Sequence, residues 1–323
     1  MKKTTIVIPN YNGINFIEGC LRSIFADDAE AKVIVVDNGS SDGSTKCLKN
    51  FPKVELIELW NNTGFSHAVN VGIQAADTEY VLLLNNDTEV AAGFLAAMEK
   101  ALDRHPKAFS VSSQMRNLYR RDEMDNAGDL YTALGWARAR GGGKDFTPYQ
   151  REKKVFSACA GAAIYRKAIF EEIGYFDETH FAYLEDVDVG YRARIYGYEN
   201  WYTPDAVVYH AGSGSSGSKY NAFKINLSSR NSIYIIGKNM PLLQILINLP
   251  FFLIGFLLKI LFFVKKGFGL LYIKGLGKGF GLSFSETGKE KHVPFEARHF
   301  LNYLRIELEL LINMFRVLFG CDF

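Results

Sequence analysis

Tyr80-Val81-Leu82-Leu83-Leu84-Asn85-Asn86-Asp87-Thr88 is a run of five apolar residues that ends abruptly on two amides and a carboxylate. A short, continuous apolar run with polar boundaries fits a strand buried on both faces of a parallel sheet. Three similar runs precede it, Thr5 to Ile8, Val33 to Val36 and Val54 to Leu59. Between these runs Ile14, Ile17, Leu21 and Ile24 share one helical face, and beyond them Phe94, Leu95, Met98 and Leu102 share another. Strands alternating with helices predict an α/β fold with a doubly wound sheet. Ligands of such sheets gather at the carboxyl ends of the strands. Here those ends carry Asn10-Tyr11-Asn12, Asp37-Asn38-Gly39-Ser40, Asn61-Asn62 and Asn85-Asn86-Asp87. Turn chemistry accounts for any one of the four clusters and strains to account for all of them.

Across 323 residues, 48% are hydrophobic and 22% charged, enough apolar content for a real core and too much for a disordered tail. The length fits one large domain or two smaller ones. With 37 basic and 35 acidic residues the net charge is +2, so the overall charge gives no support to nucleic-acid binding. Cys20, Cys47, Cys159 and Cys321 form no CxxC pair, which argues against a disulfide framework or zinc ribbon and for a reducing compartment. The apolar run after Met1-Lys2-Lys3 is too short for a secretory signal, so this part is expected in the cytoplasm.

From Arg116 to Lys154 the chain turns Gly- and Arg-rich, which predicts a loop or hairpin excursion over the strand ends. Lys167 to Ile173 and Leu184 to Tyr196 fit helices, and Trp201 to His210 fits a last strand. The final third is a different polymer. Ala206 to Ser285 contains no Asp or Glu, while Lys219, Lys224, Arg230, Lys238, Lys259, Lys265, Lys266, Lys274 and Lys278 are all basic. Leu242 to Val264, 23 residues, is interrupted only by Gln244, Asn248, Pro250 and Lys259. A bilayer span needs about 20 apolar residues. The Pro and Lys make a shallow or re-entrant helix pair an equal expectation. The stretch to Leu282 mixes lysines with Phe, Leu, Tyr and Gly, which suits anionic head groups. A second soluble core would bring acidic residues among its lysines, so membrane association is expected ahead of a buried core helix.

A carboxylate fixed at a strand end, such as Asp87, can hold a hard cation, although a lone acidic residue there is more often part of a turn. His210 strengthens the metal expectation, because it ends another strand and its imidazole suits Mn2+ or a mixed O/N site. The following Ala211-Gly212-Ser213-Gly214-Ser215 can offer backbone N–H groups to phosphate. Glu185-Asp186-Val187-Asp188 opens a helix, where the dipole favours carboxylates. Three in four residues exceed what capping needs, so one of them fits a general base at a rim marked by Phe181-Ala182-Tyr183. Arg192 and Arg194 are placed to neutralise that cluster.

These residues fall into a known order. The sequence resembles the GT-A-fold family 2 glycosyltransferases, in particular their rhamnosyltransferase-like branch. The resemblance rests on Thr5-Ile6-Val7-Ile8-Pro9-Asn10-Tyr11-Asn12-Gly13, Val35-Val36-Asp37-Asn38-Gly39-Ser40-Ser41-Asp42-Gly43-Ser44 and Asn62-Thr63-Gly64-Phe65-Ser66. Further segments are Leu83-Leu84-Asn85-Asn86-Asp87-Thr88, Gly174-Tyr175-Phe176-Asp177-Glu178, Tyr183-Leu184-Glu185-Asp186-Val187-Asp188 and Val207-Val208-Tyr209-His210. It covers residues 4 to about 232 and is loose beyond. It implies a Rossmann-like mixed sheet in a catalytic domain over 1–232 and a membrane-associated helical region over 233–323. It also implies a nucleotide-diphosphate sugar donor (dTDP- or UDP-linked, with rhamnose ahead of hexoses), a divalent cation (Mn2+ or Mg2+) and inversion at the anomeric carbon. The acceptor it implies is a lipid-linked saccharide on the cytoplasmic face of the cell membrane, for cell-surface polysaccharide synthesis. By resemblance Asp37 and Asn38 face the nucleobase and ribose, with Pro9, Tyr11, Asn62, Gly64 and Asn86 completing the donor site. Asp87 and His210 would hold the metal, and Asp186 would be the base with Glu185 beside it. Asn85 and Asn86 stand where many relatives carry a carboxylate, so the metal would rest on fewer charges.

The chemistry agrees. Breaking a sugar–phosphate bond puts charge on a diphosphate, which a cation stabilises, and an acceptor hydroxyl needs a carboxylate within hydrogen-bond reach. A sugar-phosphate nucleotidyltransferase would show a basic Gly-rich loop after the first strand, where Asn10-Tyr11-Asn12-Gly13 stands. A processive synthase would carry Gln-x-x-Arg-Trp, and none of Trp60, Trp136 and Trp201 follows an Arg. A catalytically inactive sugar-nucleotide-binding or scaffolding protein would not need Asp87, Asp186 and His210 together.

Overall fold

The structure, a computed structural model, describes residues 2–212 and 220–321, so Lys219 and positions 213–215 of the expected phosphate loop lie outside the described residues. The first part alternates β1 (Thr4–Asn10), α1 (Ile17–Asp27), β2 (Lys32–Asp37), α2 (Ser44–Leu48), β3 (Val54–Glu58), α3 (Phe65–Ala75) and β4 (Tyr80–Leu84). β1 pairs in parallel with β2 and β4, and β2 with β3. Successive side chains leave a strand on opposite faces, and both faces are covered here. Ile6, Ile8, Val33, Val35, Leu82 and Leu84 pack toward α1, whereas Val7, Ile34, Val36, Val81 and Leu83 pack toward α3. α1 buries Ile17, Cys20, Leu21 and Ile24. Ile14 lies before the helix and is 39% exposed, so the apolar face begins one turn later than its spacing suggested.

The chain continues through β5 (Thr88–Val90), α4 (Phe94–Arg104), β6 (Ala108–Asn117), β7 (Met124–Asn126), β8 (Asp129–Tyr131), β9 (Ala137–Ala139), β10 (Lys153–Val155) and β11 (Ala162–Arg166). It then forms α5 (Lys167–Ile173), α6 (Glu185–Ile195) and β12 (Glu199–His210). Across the main sheet the order is β10-β12-β6-β11-β4-β1-β2-β3. β11 is antiparallel to both β4 and β6, while β12 is parallel to β6, so the sheet is mixed. The Gly- and Arg-rich excursion contains β7 to β9, with β8 and β9 paired as a hairpin.

The last third is helical: α7 (Ala222–Asn239), α8 (Leu242–Lys265), α9 (Gly269–Phe284), α10 (Glu286–Glu290) and α11 (Phe300–Phe319). α7 runs unbroken across positions 232 and 233. In place of a helix pair over 242–264 there is one helix of 24 residues. Pro250 removes one ladder hydrogen bond without ending it, since buried Asn248 and Phe252 hold the axis on either side. α11 inserts Tyr303, Ile306 and Leu310 into a core shared with Tyr131, Val187 and Tyr191. Two of the basic residues expected at a membrane serve the fold instead. Lys238, 4% exposed, donates to Asp177 at 2.7 Å and Asp188 at 2.8 Å. Arg230 donates to the carbonyls of Thr179 and His180, both at 2.8 Å.

Candidate active site

The carboxyl ends of β1, β2 and β4, the end of β12, the excursion and the start of α6 surround a cleft of about 860 Å³. Pro9, Tyr11, Asn38, Asn62, Gly64, Asn86, Asp87, Glu185, Asp186 and His210 all line it. Asp37 does not. It is 2% exposed and accepts from Asn10 Nδ2 at 2.7 Å and from the Ser40 backbone at 2.9 Å. Its carboxylate therefore ties two strand ends together, one step behind the cleft wall. Asn10 also receives Asn86 Nδ2 at 2.7 Å. A side chain at Gly13 would strike this pair, because its Cβ would lie 2.1 Å from Asn86 Nδ2. On the opposite wall Asn38 donates to Asn62 Oδ1 at 3.1 Å and to the Gly64 carbonyl at 3.0 Å. Gly64 has φ +91°, and a Cβ there would meet the Phe181 carbonyl at 2.6 Å, so glycine is required twice over.

Asp87 and His210 meet as expected, with His210 Nε2 3.2 Å from Asp87 Oδ1. Asp125, on β7, holds the other ring nitrogen at 2.8 Å. Burial alone would lower the pKa of His210, but hydrogen bonds that the ring donates to Asp125 and Asp87, together with their charges, reverse this and raise it to about 10. A cation on Nε2 would displace the proton shared with Asp87. Carboxylate oxygen and imidazole nitrogen side by side in a cleft form a mixed O/N donor set, which suits Mn2+ better than the oxygen-seeking Mg2+. The Asp125 bond fixes the ring and leaves Nε2 turned to Asp87, a common support for a metal-binding imidazole. The residues present fit a divalent cation.

The third wall is the start of α6. Phe181, Tyr183 and Leu184 have φ of 63°, 69° and 70°, a region that non-glycine residues enter only when their surroundings enforce it. The enforcement comes from α7: Asn231 Nδ2 donates to the carbonyls of His180, Ala182 and Tyr183 at 3.1, 3.0 and 2.7 Å. The strained turn presents Glu185 and Asp186 to the cleft. Burial raises Asp186 to about 6, against hydrogen bonds from the Val187 and Ala160 backbones. Burial and the neighbouring Asp186 together raise Glu185, whose Oε2 has no partner among the described residues. Asp188 points the other way. It is fully buried with Arg192, Lys238 and Asn239, and the two cations, with the hydrogen bond that Asn239 donates, overcome burial and hold it well below the usual carboxylate range. Arg192 thus neutralises Asp188, while Arg194 pairs with Glu309 on α11 rather than with the cluster.

Among the cleft residues that the sequence did not point to are Asp125, Asp129 and Cys159. Asp129 is 7% exposed, accepts from Asn126 at 2.8 Å and keeps Oδ2 without a partner among the described residues. An oxygen of Asp129, the Cys159 sulfur and an oxygen of Asp186 lie within 4.8 Å of one another. The available signal was Asp125-Asn126-Ala127-Gly128-Asp129, two carboxylates around a Gly in a segment that otherwise reads as loop.

Comparison with known proteins identifies the family and the fold. The model of the family described as glycosyl transferase family 2 matches residues 5–174. The chain is 28% identical over 247 residues to the N-acetylglucosaminyl-diphospho-decaprenol L-rhamnosyltransferase of Mycobacterium tuberculosis, covering 66% of this chain and 77% of that one. It is 25% identical over 204 residues to the poly-beta-1,6-N-acetyl-D-glucosamine synthase of Staphylococcus epidermidis, and spans about half of that protein (62% of this chain, 47% of the synthase). Among solved structures, S. aureus TarS in complex with UDP-GlcNAc superposes with a TM-score of 0.59 at 18% identity, covering 99% of this chain and 92% of that one. The mannosyltransferase PcManGT from Pyrobaculum calidifontis, in complex with GDP-Man and Mn2+, gives 0.53 at 17% identity over 98% of this chain and 87% of that one. At those identities the likeness concerns the fold, which is GT-A.

Proposed function

The chain belongs to glycosyl transferase family 2, and on that premise we propose that it moves one sugar, with inversion, from a nucleotide-diphosphate donor to a hydroxyl of a lipid-linked saccharide. One observation carries the reading. The Asp87–His210 pair and the raised carboxylate Asp186 line a single cleft, at the strand ends where this fold binds ligands. Pro9, Tyr11, Asn38 and Asn62 would take the nucleoside, with Asp37 holding Asn10 and Ser40 behind them. A divalent cation held by Asp87 and His210 would neutralise charge developing on the diphosphate. Asp186 accepts the proton of the acceptor hydroxyl while the hydroxyl oxygen bonds to the anomeric carbon. The old carbon–oxygen bond breaks and its electron pair leaves with the diphosphate. No covalent sugar–enzyme intermediate is required.

Rhamnose is the favoured sugar, because the rhamnosyltransferase relative covers two thirds of this chain. That relative's name includes a diphospho-decaprenol, which favours a lipid-linked acceptor reached from the cytoplasmic face of the membrane. The test is a transfer assay with the purified full chain, dTDP-rhamnose and a panel of UDP- and GDP-sugars, against short-chain diphospho-lipid saccharides. Sugar transfer with an inverted anomeric product supports the proposal. Donor binding without either transfer or hydrolysis would instead make this a binding protein.

A further inference from the structure

α8, α9 and α11 share one construction. Each presents one stripe to the protein and leaves large apolar side chains exposed on the other side. On α8 the buried residues are Gln244, Asn248, Phe252 and Gly255, at steps of four, four and three. Tyr191 donates to Gln244 at 2.9 Å, and Gln244 and Asn248 both donate to Glu307 on α11. Trp136, beside the β8–β9 hairpin, donates to the Gly255 carbonyl at 3.1 Å. The anchored stripe therefore covers roughly 17 Å of a helix roughly 36 Å long, at 1.5 Å per residue. The reverse side exposes Leu242, Leu246, Leu249, Leu253, Leu257 and Leu261. α9 seats Gly275 and Gly279 so closely on α7 that a Cβ would meet Ser229 Oγ at 1.8 Å and the Arg230 carbonyl at 2.2 Å, while it exposes Leu270, Ile273, Phe280 and Phe284. α11 buries Tyr303, Ile306 and Leu310 and exposes Leu301, Leu304, Leu308, Phe315 and Phe319.

A helix that crosses a bilayer must be free of the water-soluble body over roughly 30 Å of hydrocarbon. α8 is long and apolar enough to cross, yet its stripe is bonded to the catalytic body midway along its length, and Glu307 would be carried with it. Crossing would tear out those bonds or drag a carboxylate into hydrocarbon, which is costly either way. Lying flat keeps every bond and covers the exposed apolar sides. The charges name the occupant. Lys265, Lys266, Lys274 and Lys278 are exposed around α8 and α9, and no acidic residue occurs from Ala206 to Ser285, so two copies facing each other here would repel while anionic head groups would attract.

We propose that α8, α9 and α11 form a monotopic platform lying in the plane of one leaflet of an anionic bilayer, with no segment of this region crossing it. The proposal rests on the membrane association inferred above and specifies its form, and its tests do not depend on glycosyl transfer.

Membrane vesicles turned with the cytoplasmic face outward provide the first test. Lys266→Cys, on the exposed basic turn that ends α8, is placed in a full chain whose four native cysteines are serine, after its melting temperature is matched to the parent. That end should react with a membrane-impermeant maleimide from outside, without detergent. Labelling only after detergent overturns the platform. The unsubstituted chain gives the same answer through trypsin, which should leave no protected fragment running from α9 to α11. The second test is flotation on vesicles containing phosphatidylglycerol. The double substitution Leu253→Asp and Leu257→Asp, on exposed positions, should abolish flotation while leaving melting and donor affinity unchanged. A full chain that never floats, or one that is a stable dimer in solution with these faces protected, also overturns it.

Discussion

If Asp186 is the base, the transfer rate should follow its ionisation. Burial lifts its pKa to about 6, above the ordinary carboxylate range. A base works in its ionised form, so activity should be nearly full above that value and fall as pH drops through it. The group is about 90% ionised at pH ~7 and about 10% at pH ~5, so the rate should fall roughly tenfold between them and tenfold again by pH ~4. Asp186→Asn should retain donor affinity, since the amide keeps the shape, and lose a factor of about 10²–10⁴ in turnover together with the acidic limb. The assay is initial-rate transfer with saturating donor across that pH range, paired with calorimetric donor titration to separate binding from chemistry. A wild-type profile flat through pH ~6 would refute the assignment. So would near-normal turnover in Asp186→Asn alongside a dead Glu185→Gln, which would move the base one residue back.

Asp87→Ala and His210→Ala should each weaken Mn2+-dependent donor binding in calorimetry, and an affinity indifferent to chelator would remove the cation from the mechanism. Lys238→Met removes the cation that bridges two buried carboxylates, leaving Asp188 with Arg192 and Asn239 and Asp177 with the Tyr234 hydroxyl, which should cost about 3–5 kcal/mol, a fall in melting temperature of roughly 6–10 °C. Asp177, held near 2 by Lys238 despite its burial, stabilises the fold above about pH 4 and loses that contribution as pH falls toward 2. The gap between Lys238→Met and wild type should therefore narrow in acid, and a constant gap would contradict the ion network. A chain ending at Asn239 removes Tyr303, Ile306 and Leu310 from a core they share with Tyr191, so it should lose its cooperative melting transition in differential scanning calorimetry rather than merely detach from membranes.

Elements with strong periodicity were legible in the sequence. β4 and α5 fall on the residues that their patterns gave, because both are bounded by sharp changes of polarity. β6 was not legible. Its Ala-Phe-Ser-Val-Ser-Ser-Gln run reads as too polar for a central strand, and only the fold shows Ser110 bonded to Asn200 and Ser113 to the Ala162 carbonyl. At the site, the ends of regular strands located Pro9, Tyr11, Asn38, Asn86, Asp87 and His210, since a strand end is a position that sequence can find. Asp125 and Asp129 come from the excursion, where no periodicity fixes direction, so their arrival beside His210 and Asp186 depends on tertiary packing. Asp37 and Asp188 show another limit. A carboxylate can serve a backbone or a buried cation as well as a ligand, and only burial and partners show which contacts it makes.

The bonds from α7 also bear on how such proteins can be recombined. Asn231 and Arg230 hold carbonyls in the turn before the base, and Lys238 is charge-balanced by Asp177 and Asp188 on the catalytic side. A graft of this tail onto another catalytic body would import an ammonium with nothing to neutralise it, unless both aspartates and the unusual turn came along. Conversely, a borrowed tail lacking a cation at that place would strand Asp177. The junction between the halves is thus not interchangeable, and successive sequence changes on either side of it are constrained to arrive as matched pairs.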